Sequence, residues 1–310
     1  MRPPRLDTGM PRPPAIVQTG RSVVRVQLDA SGADWQQWVL LSGDRHHDSP
    51  AADHARERRQ LELVAERNAL VIDVGDMHDL CGGRGDPRRS RSVVRPEHQM
   101  ADDYIDSVVS AAAKFYAPYA RHFVVVGRGN HEQSILRALE TDVTVRTCAM
   151  MSALSGAPVI AGGYSGWVRF AAEQHGRCAA LTLWYHHGSG GASTMTLGTG
   201  AIRAQASYLP DADIVLGGHI HHSWHAVIGR LRLRSRSRTG DEVETVPQHH
   251  IRVGCYADDY GDGHSGWALE KGHAPRAQHA GVWLRLSLDD CRVSGRRTLR
   301  LLPEMTLAAY

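Results

Sequence analysis

Short apolar runs alternate with amphipathic stretches along the first half of the chain. "WVLLSG" (38–43), "LVIDVG" (70–75) and "HFVVVGRG" (122–129) are strand-length apolar runs, each closed by glycine. Between them, "ADHARERRQLELVAERNA" (52–69) and "DDYIDSVVSAAAKFY" (102–116) carry apolar positions at helical spacing, and a further helix opens at "HEQSILRALE" (131–140). The order β-α-β-α-β-α predicts parallel strands joined by helical crossovers.

From about residue 158 the pattern becomes strand-rich. "PVIAGGYSGWVRFAA" (158–172), "RCAALTLWYHHG" (177–188) and "DADIVLGG" (211–218) read as strands, with "TGAIRAQASYL" (199–209) the one clear helix. A second sheet is expected to share one core with the first. Residues 1–20, with five prolines by Pro14, are expected to form a flexible arm. Residues 21–310 are expected to form a single domain with a basic insertion at 81–99 and a strand-rich C-terminal part at 222–310.

Composition adds little to this picture. With 42% hydrophobic and 22% charged residues, the chain has the make-up of an ordinary globular protein, long enough for a real core. A net charge of +3 does not by itself indicate a nucleic-acid partner. The five widely spaced cysteines read as thiols in a reducing compartment, and no Cys-x-x-Cys is present. The N-terminus lacks the apolar segment of a signal peptide, and no apolar run reaches membrane-spanning length. A cytoplasmic protein without a membrane partner is the expectation.

The 19 histidines do change the picture, because they gather at strand ends. Ligands of open α/β sheets collect at the carboxyl ends of strands. Here those ends carry Asp44, His46, His47 and Asp48; Asp76, His78 and Asp79; Asn130, His131 and Glu132; His186 and His187; then "GGHIHHSWH" (217–225). Singly, each is a turn or a helix cap. Together, imidazoles, carboxylates and one amide suit borderline divalent cations such as Mn²⁺, Fe²⁺, Zn²⁺ or Ni²⁺. The lack of cysteine among these residues argues against a structural zinc site. So many donors are too many for one ion and about right for two that share a carboxylate.

The motifs Asp44-x-His46, Gly75-Asp76-x-x-Asp79, Gly129-Asn130-His131-Glu132, His187-Gly188 and Gly218-His219-x-His221 occur in this order. In this the chain resembles the calcineurin-like metallophosphoesterases from about residue 38 to 222. The resemblance implies an α/β fold, a four-layer α-β-β-α sandwich of two mixed sheets flanked by helices, with a dinuclear site at the strand C-terminal ends. It also implies that Asp44, His46 and His221 hold one divalent ion, Mn²⁺ foremost. Asn130, His187 and His219 would then hold a second, with Asp76 bridging. His186 is the alternative to His187. His131 is implied to protonate the leaving oxygen and Asp79 to orient it, while Glu132 is read as a helix cap. His222 and His225 are expected to lie outside the ligand set.

Leu80 stands where the protein phosphatases of that superfamily carry an arginine next to the second aspartate. Two arginine clusters follow the motifs: Arg84, Arg88, Arg89, Arg91 and Arg95, then the alternating Arg230, Arg232, Arg234, Arg236 and Arg238. On one strand face, Arg232, Arg234 and Arg236 would meet a DNA or RNA backbone. The segment 255–286 resembles phage and prophage members of the superfamily, and Trp267 or Tyr260 there could stack on a base. The expected function is a metal-dependent phosphodiesterase acting on nucleic acid or nucleotides, such as a nuclease. The alternatives are a broad-range phosphomonoesterase and a catalytically silent binding module.

Overall fold

The computed structural model describes residues 13–32, 34–81, 94–190, 196, 198–236, 240–258, 279–293 and 296–309. Strands β1 (Ala15–Gly20) and β2 (Val23–Asp29) pair antiparallel. This corrects the arm expected over 1–20, whose last six residues are an edge strand. The cause lies in β2, whose Val24, Val26 and Leu28 alternate into the core, with Ile16 of β1 packed against the same cluster.

The expected crossovers follow. β3 (Gln36–Ser42), α1 (His54–Glu66), β4 (Leu70–Asp73), the short α2 (Pro96–Gln99), α3 (Tyr104–Tyr116), β5 (Phe123–Val126), α4 (Asn130–Leu139) and α5 (Val143–Ser155) succeed one another. Strands β3, β4 and β5 are parallel neighbours. All four residues of β4 and all four of β5 are buried, as a strand covered on both faces requires. The Asp53 carboxylate caps α1 by accepting the Arg56 N–H at 2.9 Å.

The second half contributes β6 (Ser165–Gln174), β7 (Arg177–His186), α6 (Ile202–Tyr208), β8 (Ile214–Gly217), β9 (Trp224–Arg236), β10 (Gly240–Arg252), β11 (His279–Val293) and β12 (Arg296–Ala309). Two mixed sheets result. The seven-stranded sheet has the order β1-β2-β6-β7-β8-β10-β9, and the five-stranded sheet has the order β12-β11-β3-β4-β5. Their facing sides share one apolar core that includes Val26, Phe170, Leu183 and Leu216 from the first and Leu41, Ile72, Val124 and Leu284 from the second. Helices α1, α3 and α5 cover the outer side of the five-stranded sheet through Leu61, Val64, Ala112, Tyr116 and Met151. On the outer side of the other sheet, among the described residues, Leu209, just after α6, packs with Val215, Trp167 and Trp184. Among the described residues, no helix is long and apolar enough to cross a membrane.

Candidate metal centre

Strands β3, β4, β5, β7 and β8 bring their C-terminal ends to one region, and the loops leaving them are stitched together by main-chain hydrogen bonds. Asp44 N–H donates to Gly75 O at 2.8 Å, His46 N–H to Asp76 O at 3.0 Å, and Gly218 N–H to His187 O at 2.8 Å. Gly218 has to be glycine, since a Cβ there would lie 2.3 Å from Asp44 Oδ2. Nine non-glycine residues in the described chain have positive φ, and Asp44, His46, Asp76, His219 and His221 are five of them. Each such backbone costs about 1–3 kcal/mol and persists only where the surroundings impose it. The strain is concentrated on the very residues that the motifs single out.

The side chains form two groups. In the first, Asp44 Oδ1 lies 3.3 Å from His221 Nε2, which lies 3.2 Å from His46 Nε2. In the second, His187 Nε2 lies 3.1 Å from Asp76 Oδ2 and 3.0 Å from Asn130 Oδ1, and His219 Nδ1 lies 2.6 Å from that same amide oxygen. Asp76 belongs to both sides: its carboxylate is within 4.8 Å of donor atoms of His46 and His131 and likewise of His187 and His219.

Whether divalent ions suit these residues is decided by the outward-facing nitrogens. His46 Nδ1 faces Asp79 Oδ1 at 3.1 Å, His187 Nδ1 faces Val74 O at 3.1 Å, and His219 Nε2 faces Gly190 O at 3.0 Å. Oxygens of this kind only accept, so each of these nitrogens carries the proton and the opposite, inward nitrogen offers a lone pair. Lone pairs therefore face carboxylate and amide oxygens across about 3 Å, the spacing of neighbouring ligands on one ion with bonds of about 2.1 Å. The residues fit divalent ions. Without them the carboxylates draw protons to the rings. Burial alone would lower the pKa of His46 and His187, but Asp79 and Asp76 respectively lead the carboxylates that raise each to about 9.

His187 and not His186 meets Asp76. His186 points to the other side of β7, where its ring stacks on Trp184 and its Nδ1 accepts the Gly188 N–H at 3.0 Å. His225 pairs with His249 at 3.0 Å, away from the donor groups. His131 Nδ1 donates to the main-chain oxygen of Asp79, and its Nε2 is 3.9 Å from Asp76 Oδ2. The Asp79 carboxylate lies nearer His46, at 3.1 Å, than His131, at 3.5 Å. The expected Asp79–His131 pairing thus runs mainly through the peptide carbonyl.

The residues that support these donors act largely through contacts distant in sequence. Glu132 does more than cap α4, since its buried carboxylate accepts N–H groups from Gly129, Asp76 and His78 at 2.8, 3.1 and 2.9 Å. Asp48 holds the Asp79 loop through the N–H groups of Asp79 and Leu80 at 2.6 and 2.9 Å. Arg45, between two donor residues, is fully buried and donates to Asp73, Glu57 and Ser42 at 2.6, 2.8 and 2.8 Å. The Sγ of Cys255 lies within 4.8 Å of donor atoms of His46 and His221, a neighbour absent from the cysteine-free set expected from sequence.

The arginine clusters look different from their sequence. Arg230 donates to Pro210 O at 2.7 Å and lies 3.6 Å from Asp213, and Arg232 lies 4.0 Å from Asp211. Glu244 stands opposite Arg232 in the β9–β10 register, and Glu242 opposite Arg234. Of Arg234 and Arg236 only the backbone is described. Trp267, Tyr260, Arg238, Arg84, Arg88, Arg89 and Arg91 lie outside the described residues.

No protein-family model and no curated protein matches the chain. Among solved structures, a conserved uncharacterized protein from Streptococcus pneumoniae TIGR4, described as a predicted phosphoesterase, is 12% identical with a TM-score of 0.30, covering 88% of this chain and 99% of its own. GAP50, the anchor in the inner membrane complex of Plasmodium, is 10% identical with a TM-score of 0.37, covering 81% of each chain. Likenesses this remote assign neither fold nor function.

Proposed function

We propose that the protein is a phosphoester hydrolase working with two divalent metal ions, and that diesters are its substrates. The observation that carries the reading is the inward ring nitrogens of His46, His187, His219 and His221 gathered with the oxygens of Asp44, Asn130 and Asp76. In this reading Asp44, His46 and His221 hold one ion, Asn130, His187 and His219 hold the other, and Asp76 is common to both. Bound ions of this kind supply Lewis acidity toward phosphoryl oxygens and lower the pKa of water.

The chain's own residues then do the rest. Asp79, Val74 and Gly190 fix the tautomers of three rings, so the lone pairs are in place before substrate arrives. Glu132 ties the Asp76 loop to the start of α4, setting the shared carboxylate against Asn130 and His131. The Asp79 carbonyl occupies Nδ1 of His131, so Nε2 is the nitrogen that hands a proton to the leaving oxygen. Leu80 supports diesters over monoesters. It is buried among Val108, Val109, Ile135 and Val143, so position 80 supplies no guanidinium to hold the second charge of a monoester. The carboxylates beside Arg230 and Arg232 favour a small or nucleotide-like diester over a polymer held by that strand. Metal-stripped protein reloaded with Mn²⁺, Ni²⁺, Zn²⁺ or Mg²⁺ tests the proposal on bis-p-nitrophenyl phosphate, p-nitrophenyl phosphate and single- and double-stranded DNA. Metal-dependent turnover that is faster on the small diester agrees with it. Turnover of the monoester alone refutes the diester preference, and no metal-dependent turnover refutes the hydrolase.

A further inference from the structure

The loop after β10 runs along the back of the first donor group. Val253 N–H donates to Gly217 O at 2.9 Å and Tyr256 N–H to Asp44 O at 3.1 Å, which pins the residues between them against the Asp44 loop and the end of β8. Between these anchors sits Cys255, 7% exposed and in no disulfide among the described residues. Its Sγ and the ligand-type nitrogens of His46 and His221 lie within 4.8 Å of one another. A nitrogen and a sulfur bound to one ion at about 2.1 and 2.3 Å are about 3.6 Å apart at the tetrahedral angle, so a small side-chain adjustment joins all three.

We propose that Cys255 is a sulfur ligand of the ion held by Asp44, His46 and His221. The proposal rests on the two-metal reading above and makes the two halves of the centre chemically unequal. On binding, the thiol gives its proton to solvent and the thiolate takes a position on the ion. The Ala257 N–H, 3.2 Å from Sγ, points at the sulfur as a donor would at a thiolate. A thiolate among imidazoles and a carboxylate selects Zn²⁺, Fe²⁺ or Co²⁺ over Mn²⁺ and Mg²⁺. The half of the centre formed by Asn130, His187, His219 and Asp76 has no described sulfur donor within the same reach, so it keeps the harder preference. A buried cysteine that merely fills space would show neither preference.

Cobalt decides the matter, because a cobalt–thiolate bond gives a near-ultraviolet charge-transfer band that imidazole and carboxylate ligands do not. The full-length protein, stripped and titrated with Co²⁺, is expected to bind two ions per chain and to show the band. Cys255→Ser is expected to abolish the band and to weaken Zn²⁺ at one site by more than the roughly 10–100-fold that losing an outer-shell partner costs. The Mn²⁺ affinity should change far less. X-ray absorption of the zinc-loaded wild type needs no variant, and should show a sulfur neighbour at about 2.3 Å. Two bound cobalt ions without the band, or a band that survives in Cys255→Ser, overturn the sulfur ligand and leave the metal centre standing. A wild type that binds no cobalt overturns both.

Discussion

Nε2 of His46 and Nε2 of His221 face each other across 3.2 Å. With Nδ1 of His46 committed to Asp79, Nε2 is the nitrogen left to bind an ion, and Asp44 adds an oxygen 3.3 Å from His221. A divalent ion between them takes the place of the proton that the carboxylates otherwise draw to the ring. Ligand that binds only the folded state stabilises it by about 4 kcal/mol at a thousand times its dissociation constant. Chelation should therefore lower the melting temperature by several degrees, and excess Mn²⁺ or Zn²⁺ should restore it. Identical melting curves in chelator and in metal would contradict the donor arrangement.

His131 and Asp79 should separate in their effects. His131→Ala is expected to keep its metals and to lose about 10²–10⁴-fold in kcat on diesters with poor leaving groups. The loss should shrink on p-nitrophenyl esters, whose leaving group needs little protonation. Asp79→Asn leaves the carbonyl that holds His131 but weakens the hold on His46, so it should cost about 10–100-fold in metal affinity and keep the normal leaving-group dependence. If Asp79→Asn copies His131→Ala on both substrate types, the carboxylate is the orienting group after all.

The buried cluster behind the centre predicts the acid limb of stability. Burial by itself would raise the Glu57 carboxyl, but His47, Arg45 and Tyr116 hold it down at about 2 against an ordinary 4.5. A depressed carboxyl takes up its proton at lower pH in the folded state than in the unfolded one. Its contribution, on the order of 3 kcal/mol, is full above pH 4.5 and fades as pH falls toward 2. Glu57→Gln should flatten the stability curve across that window and lower the plateau above it. An acid limb of unchanged slope would mean that Glu57 is not held down.

What the sequence made legible was whatever has a period or a motif. The apolar runs ending at Ser42, Asp73 and Val126 are β3, β4 and β5, and the loops that follow them are joined by main-chain hydrogen bonds such as Asp44 N–H to Gly75 O. Helix α5 escaped notice because Val143, Thr144, Val145 and Thr147 are β-branched, although Asp142 caps its start and Gly156 ends it. Periodicity along the arginine strand says nothing about the carboxylates of Asp211 and Asp213 that lie beside Arg232 and Arg230. Arg45 and Cys255 were invisible for a related reason. One pairs with Asp73 and Glu57, and the other approaches His46 from more than two hundred positions away. The Leu80 backbone, with φ of 55°, shows a tight turn that an apolar residue does not announce.

The central claim is a pair of ions that share Asp76. A crystal structure of the metal-loaded protein with anomalous data at the metal edge, supported by metal analysis in solution, tests it most directly. The predicted result is two ions per chain with the Asp76 carboxylate touching both, His187 and Asn130 on one and His46 and His221 on the other. One ion per chain, or two with Asp76 bound to only one of them, would contradict it.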